Sequence, residues 1–374
     1  FIINGGNKLK GEVEISGSKN SALVLMAASL LTDEDVILDN VPELLDIQIS
    51  IDLLEVLGKK ITFNNNRMTI RQTKDVNTEA PYELVNKMRA SIIVLGPLLA
   101  RYKKCKVSLP GGCAFGPRPV DLHIMGMEKL GANISLDHGY ISAETDGLVG
   151  NNIFLAGKFG PSVLGTDNVM MAAVLAKGET IIDSAAIEPE CIDLANMLVK
   201  MGANISGIGT TTLKIKGVEK LSGVEYSVIP DRIETGTFIA MGILSGNGIL
   251  IRKCNPEHIA YPLEILRKMG AAFEVNNDSI LINPVKNLRP FNIKTGPYPM
   301  FPTDLQPIFM VLACKSEGVS SISESIYPDR FQYTQELVRM GADIRVDGGL
   351  AVINGPCDLM GAPVMASDLR AGAA

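Results

Sequence analysis

Tryptophan is absent, there are three histidines, and aromatic residues make up 5% of the chain. With so few aromatic faces there is no platform on which successive bases of a single-stranded nucleic acid can stack. A basic excess is missing as well: 35 Lys and Arg stand against 41 Asp and Glu, a net charge of −6 that argues against a nucleic-acid partner. The cysteines, at 105, 113, 191, 254, 314 and 357, form no CxxC pair or tight metal spacing, and three histidines supply a zinc site poorly. No metal site is expected, and a reducing cytoplasm fits best. No apolar run approaches the ~20 residues that span a bilayer. The stretch from Ile92 to Ala100 is among the longest, and Phe1 opens no signal-like segment. The expected protein is soluble and cytoplasmic, with no membrane partner.

What is present is a globular composition, 46% hydrophobic and 20% charged with 36 glycines, in 374 residues. That length favours two domains, each with its own core. One pattern recurs five times: LLEVLGKKITF, MEKLGANISL, MLVKMGANISG, ILRKMGAAFEV and ELVRMGADIRV. The glycines are Gly58, Gly131, Gly202, Gly270 and Gly341, at successive spacings of 73, 71, 68 and 71 residues. Each stands where a helix end needs a left-handed residue, and the alternation that follows is that of half-buried strands. A second helix start lies 36 to 42 residues earlier in each unit, at Asn20, Arg89, Thr166, Arg232 and Asp304. Each unit therefore reads as two helices and several strands. Three such units close around a common core with helices inside, and six make two lobes. The boundary is expected near Glu225 to Asp231, with the strand before Ser16 belonging to the second lobe. Helix N-termini in such an arrangement favour anions, although a repeat used only as scaffold would read the same way.

Several segments carry chemistry-bearing residues. In LPGGCAFGPRPVDLH, Cys113 follows two glycines and precedes Arg118 by five residues, a setting that lowers a thiol pKa, whereas an ordinary free cysteine is a small buried apolar residue. ISGSKNSAL places Lys19 at a helix start with Ser18 or Asn20 as cap, suited to a phosphate or carboxylate but also to a plain capped helix. YPMFPTDLQPIF puts Asp304 at a helix start, where its commoner role is an N-cap. Arg89, Arg330 and Arg370 each stand at or near a helix start in what read as equivalent parts of successive units. Arginine there opposes the helix dipole, which suggests bound anions.

The motifs GSKNSAL, KMRAS, PGGCAFGPRPVDLH, PDRIETGTF, FPTDLQP and ASDLRAGAA, in this order across the whole chain, resemble the UDP-N-acetylglucosamine 1-carboxyvinyltransferase family of enolpyruvyl transferases. The resemblance implies an α/β fold, a two-lobed inside-out α/β barrel of six repeated units with substrates in the cleft between lobes. It implies transfer of the carboxyvinyl group of phosphoenolpyruvate to UDP-N-acetylglucosamine, the first committed step of peptidoglycan synthesis, with no cofactor. It also implies roles. Cys113 forms a covalent adduct with phosphoenolpyruvate and is associated with proton delivery. Lys19, Arg118 and Arg370 contact the phosphate and carboxylate, supported by Arg89 and Arg330. Asn20 and Asp304 hold the sugar, with Asp304 the base at its 3-hydroxyl. Pro119, Val120, Asp121, Leu122, Ser162, Val163 and Ile326 contribute to substrate binding. One segment departs: SVLGTDN, Ser162 to Asn168, has Leu164 where the family has glycine. The sister enzyme acting on 3-phosphoshikimate lacks the cysteine loop, and a silent sugar-nucleotide binder would have lost Cys113, Asp304 or Lys19.

The expected lobes are residues 1–18 with 228–374, and 19–227 carrying the Cys113 loop; the oligomeric state stays open. Helix start to closing glycine takes 38, 42, 36, 38 and 37 residues in the five units, so a sixth unit beginning at Asp368 is expected to need about 40 to 50 residues beyond Ala374, counting two strands of ordinary length.

Overall fold

The computed structural model describes residues 2–109, 120–366 and 368–374, with the side chains of Arg89 and Ser245 also outside the description. The chain divides into two compact units: 17–109 with 120–229, and 2–16 with residues from Pro230 onward.

In the first unit three four-stranded sheets repeat one plan. A strand pairs in parallel with the strand that follows the first helix, and two antiparallel strands complete the sheet. Val36–Asp39 lies between Val224–Ser227, parallel, and Arg67–Gln72, antiparallel, with Lys59–Asn64 outermost. Glu79–Ala80, Lys104–Ser108, Tyr140–Glu144 and Asn133–Asp137 form the second sheet, and Asn152–Phe154, Glu179–Asp183, Thr212–Lys216 and Asn204–Ser206 the third. The parallel strand of the first sheet thus comes from the far end of the unit. The other unit repeats the plan twice, with Gly11–Glu14 beside Ile249–Arg252 and Asn292–Lys294 beside Gly318–Ser323.

Helices occupy the interior because their sequences leave them nowhere else. Ser21 to Ala28 of helix Lys19–Ala28 are all buried, as are Gly165 to Ala173 of helix Val163–Ala173. A helix buried on every side belongs in a core, while the strands alternate more and less buried residues along their length. Two interior helices approach closely at Gly96, where a Cβ would lie 2.2 Å from the carbonyl oxygen of Asn168. In the second unit the edge-to-face pair Phe301 and Phe309, with centroids 4.7 Å apart, sits at the centre. No described helix is long and apolar enough to cross a membrane.

The five repeat glycines all have positive φ, between 88° and 106°, at or just after a helix end. Three details differ from the sequence reading. The third unit's helix starts at Val163, capped by Ser162, three residues before Thr166. Asp304 is not a helix cap: it lies inside the short 3-10 turn Thr303–Leu305, which runs into helix Gln306–Cys314, and its side chain turns to arginines. Arg330 is not equivalent to Arg89 and Arg370, because its 3-10 segment Pro328–Tyr333 leads into the second helix of its unit, Thr334–Arg339.

Candidate active site

Prolines at 297, 299 and 302 deprive the segment before Asp304 of backbone donors, so it cannot extend the helix that follows, and Pro302 enters in extended conformation. Asp304 is left projecting from the turn with its carboxylate 28% exposed. Arg370 holds Oδ2 with two nitrogens, Nε at 3.0 Å and Nη2 at 2.9 Å, and Arg330 donates Nη1 to Oδ1 at 2.9 Å. Arg330 is nearly buried at 4% and also donates to the Thr303 hydroxyl at 2.9 Å, with Asp368 Oδ2 at 3.7 Å from its Nη2. Asp368 in turn accepts from the backbone NH of Ala371, so the turn carrying Arg370 is fixed by the acid two residues before it. Burial alone would push the Asp304 carboxyl up. Arg370 and Arg330, with Arg232 adding its charge, outweigh it and hold the group well below the usual carboxylate range.

In this state Asp304 is an ionised acceptor and a weak base. An anion that drew Arg370 and Arg330 toward itself would loosen the clamp and raise the basicity of Asp304 as it bound.

In the unit of residues 17–109 and 120–229, Lys19 stands at the N-terminus of a buried helix. The helix is capped by Ser18, and Gly17 before it permits a close approach: a Cβ there would fall 1.7 Å from the Asn40 carbonyl oxygen. Lys19 Nζ lies 2.7 Å from Asp46 Oδ2, and Asn20 beside it is half-buried. Asp193 steadies this helix end, accepting from the Ser21 hydroxyl, from Tyr226 Oη at 2.7 Å and from the Ile229 NH at 3.4 Å. Elsewhere in this unit two segments distant in sequence meet. Ser162 caps its helix through the Gly165 NH at 3.1 Å, and half-buried Leu122, the second residue of helix Asp121–Lys129, packs over Gly165 and Gly157. Val120, Leu122, Ser162 and Val163 are half-buried and Asp121 is exposed. Leu164 is half-buried and packs on the core. Behind them Asn168 bonds the Gly96 NH, the Ile92 carbonyl and His123 Nδ1, and burial lowers the His123 pKa to about 4, so the ring is neutral.

Asp304, Arg330 and Arg370 are therefore brought together, with Ile326 on the same loop as Arg330, and Leu122 packs on Gly165, whose NH Ser162 accepts. Cys113, Arg118 and Pro119 lie outside the described residues, as does the Arg89 side chain. Sequence reasoning missed Arg232, Thr303, Glu324 and Asp368 as members of the Asp304 cluster. A signal existed for Arg232, which opens a helix in the repeat register, and for Asp368, two residues before Arg370, but none for Glu324, whose contacts are made only by folding.

The EPSP synthase (3-phosphoshikimate 1-carboxyvinyltransferase) family model matches residues 3–374. The chain belongs to this enolpyruvyl transferase family. Within it, the similar relatives are named UDP-N-acetylglucosamine 1-carboxyvinyltransferase. That of Koribacter versatilis is 50% identical over all of this chain and 86% of its own length, and that of Akkermansia muciniphila 48% identical over all of this chain and 88% of its own. Among solved structures, the enolpyruvyl transferase NikO from Streptomyces tendae superposes with a TM-score of 0.89 at 25% identity, over 99% of this chain and 88% of that one. EPSP synthase from Acinetobacter baumannii, at 18% identity and a TM-score of 0.73 over 98% of this chain and 88% of that one, shares the fold.

Proposed function

We propose that this enolpyruvyl transferase moves the carboxyvinyl group of phosphoenolpyruvate to the 3-hydroxyl of UDP-N-acetylglucosamine and releases phosphate, opening peptidoglycan synthesis in the cytoplasm. The observation that carries this reading is 50% identity, over all of this chain and 86% and 89% of their own lengths, to enzymes named for that reaction, in a chain whose Asp304 is clamped by two arginines.

The reaction forms a bond from the sugar oxygen to the central carbon of phosphoenolpyruvate while the methylene carbon gains a proton and the hydroxyl loses one. A methyl proton then leaves with the C–O bond to phosphate, restoring the double bond. Every step is a proton transfer or a C–O bond change, so the chemistry asks for an acid, a base and cations that balance charge near two fixed anions. Asp304 takes the hydroxyl proton. Arg370 and Lys19 hold the anionic groups of phosphoenolpyruvate, with Arg118, Arg330 and Arg89 in support, and orient them before reaction. Cys113 delivers the proton to the methylene carbon. Asn20, Val120, Asp121, Leu122, Ser162, Val163, Ile326 and Pro119 contact the sugar nucleotide.

The test is phosphate release from phosphoenolpyruvate with each candidate acceptor. UDP-N-acetylglucosamine should support turnover and 3-phosphoshikimate should not. Release with 3-phosphoshikimate alone overturns the reading.

A further inference from the structure

Glu324 is 3% exposed, so its charge is buried at a cost that only complete hydrogen bonding offsets. It has four donors. Oε1 accepts from the Thr295 hydroxyl at 2.7 Å, the Ile326 NH at 2.8 Å and the Tyr327 NH at 3.0 Å, and Oε2 accepts from the Thr303 hydroxyl at 2.8 Å. These bonds converge on the two loops that carry the candidate site. One ends at Asp304; the other runs from Ile326 to Arg330. The Thr303 hydroxyl has a single proton, which goes to Glu324, and it therefore presents its lone pairs to Arg330 Nη1 at 2.9 Å. That same nitrogen reaches Asp304 Oδ1 at 2.9 Å. Glu324, Thr303, Arg330 and Asp304 form one chain of hydrogen bonds whose polarity is set by the buried carboxylate.

We propose that Glu324 is a positioning residue for the transfer reaction: through Thr303 it fixes the Arg330 guanidinium against Asp304, and through two backbone NH groups it shapes the loop presenting Ile326. This rests on Asp304 being the base. A residue serving only to fill the interior would have no reason to orient an acceptor toward a guanidinium, and an apolar side chain would serve the core at lower cost. The groups acting on Asp304 in this unit are Arg370, Arg330 and Arg232, with Asp368 and Glu324 facing Arg330.

The test uses Thr303→Val, which keeps the shape and removes the relay, Thr303→Ser, which restores the hydroxyl, and Glu324→Gln, assayed by phosphate release with both substrates. Thr303→Val should lower kcat about 10- to 100-fold, the size expected of a misplaced catalytic group. It should also move the acidic limb of kcat/KM to higher pH, because Asp304 loses part of its hold on a cation and its pKa rises toward the ordinary value. Thr303→Ser should recover most of the rate and the parental limb. Glu324→Gln combined with Thr303→Val should cost little more than either alone, as members of one chain do. A Thr303→Val enzyme with parental kcat and pH profile, beside an inactive Asp304→Asn, overturns the relay and leaves the base intact. An active Asp304→Asn overturns the base reading and the relay with it. If Glu324→Gln does not fold, the Thr303 pair decides alone.

Discussion

Asp304 shows how a residue type recognised from sequence acquires its properties from neighbours that sequence does not display. As a cap it would tolerate asparagine, because both side chains accept from helix NH groups. In the structure it caps nothing and neutralises arginines, one of them nearly buried. Asp304→Asn should therefore reduce kcat about 10²- to 10⁴-fold, the usual worth of a general base, and lower stability by about 1–3 kcal/mol, the scale of hydrogen bonds to charged groups. Phosphate release and thermal melts measure the two. The sign of the pH effect follows from the depressed pKa. The carboxylate's stabilising contribution is present above the ordinary aspartate range and lost only as pH falls through its lower folded value, a loss that Asp304→Asn should remove. Cysteine chemistry divides along the same line of environment. Five cysteines are buried, and burial pushes Cys105 and Cys314 up to about 12 and Cys254 up to about 11, far from thiolate at neutral pH. Alkylation followed by peptide mapping should label Cys113 first, with both substrates protecting it. First labelling of Cys105 or Cys254 would sink the assignment. Asp304, Arg330 and Arg370, which the structure brings together, stand out in sequence because each lies in a local motif. Glu324 and Thr303 do not, since a relay built from residues 21 positions apart leaves no mark in either segment.

Among the elements, the repeat was legible because a glycine with positive φ, followed by two alternating strands, is a local event written five times. The start of the third unit's helix was misplaced by three residues because Ser162, the true cap, sits in a stretch whose polar residues Thr166, Asp167 and Asn168 read as a boundary. All three are buried inside that helix. Thr166 accepts from the Ala186 NH and Asn168 bridges two other helical segments, so both are satisfied by contacts between elements. Asp167 is the exception. It is 1% exposed, Glu188 and Glu190 are acidic neighbours, and burial pushes its pKa up to about 8. The unfolded chain loses this proton near pH 4 and the folded chain keeps it until about pH 8, so from this group folding stability falls as pH rises between those values. Asp167→Asn should flatten that fall. Denaturant unfolding at pH 5 and pH 8 measures it: the variant should lose much less stability between the two than the parent, and parallel losses would show that Asp167 is ionised in the folded protein.

At the scale of the whole molecule, the repeats are gathered into two cores with separate membership. One runs from Ala22 to Val228 and the other joins Ile15 to residues from Ile233 to Cys357. The first contains three sheets of the common plan and the second two. Each is large enough to unfold as its own cooperative block, and a chain built so has no single two-state transition. Two substitutions address the cores separately. Leu25 is fully buried in the first core, and Leu25→Ala should cost about 2–5 kcal/mol. Phe309 is 1% exposed in the second, packed on Phe301 and Phe291, and Phe309→Ala should cost about 3–5 kcal/mol. Scanning calorimetry of the parent should give a van't Hoff enthalpy smaller than the calorimetric one. Leu25→Ala should move one component of the trace and Phe309→Ala the other, each leaving its counterpart within the change that additivity allows for distant sites. Phosphoenolpyruvate and the UDP-sugar, binding only the folded protein, should raise whichever component they engage. A parent that melts with equal enthalpies, and variants that shift one common transition, would mean that the two cores fold as one cooperative body.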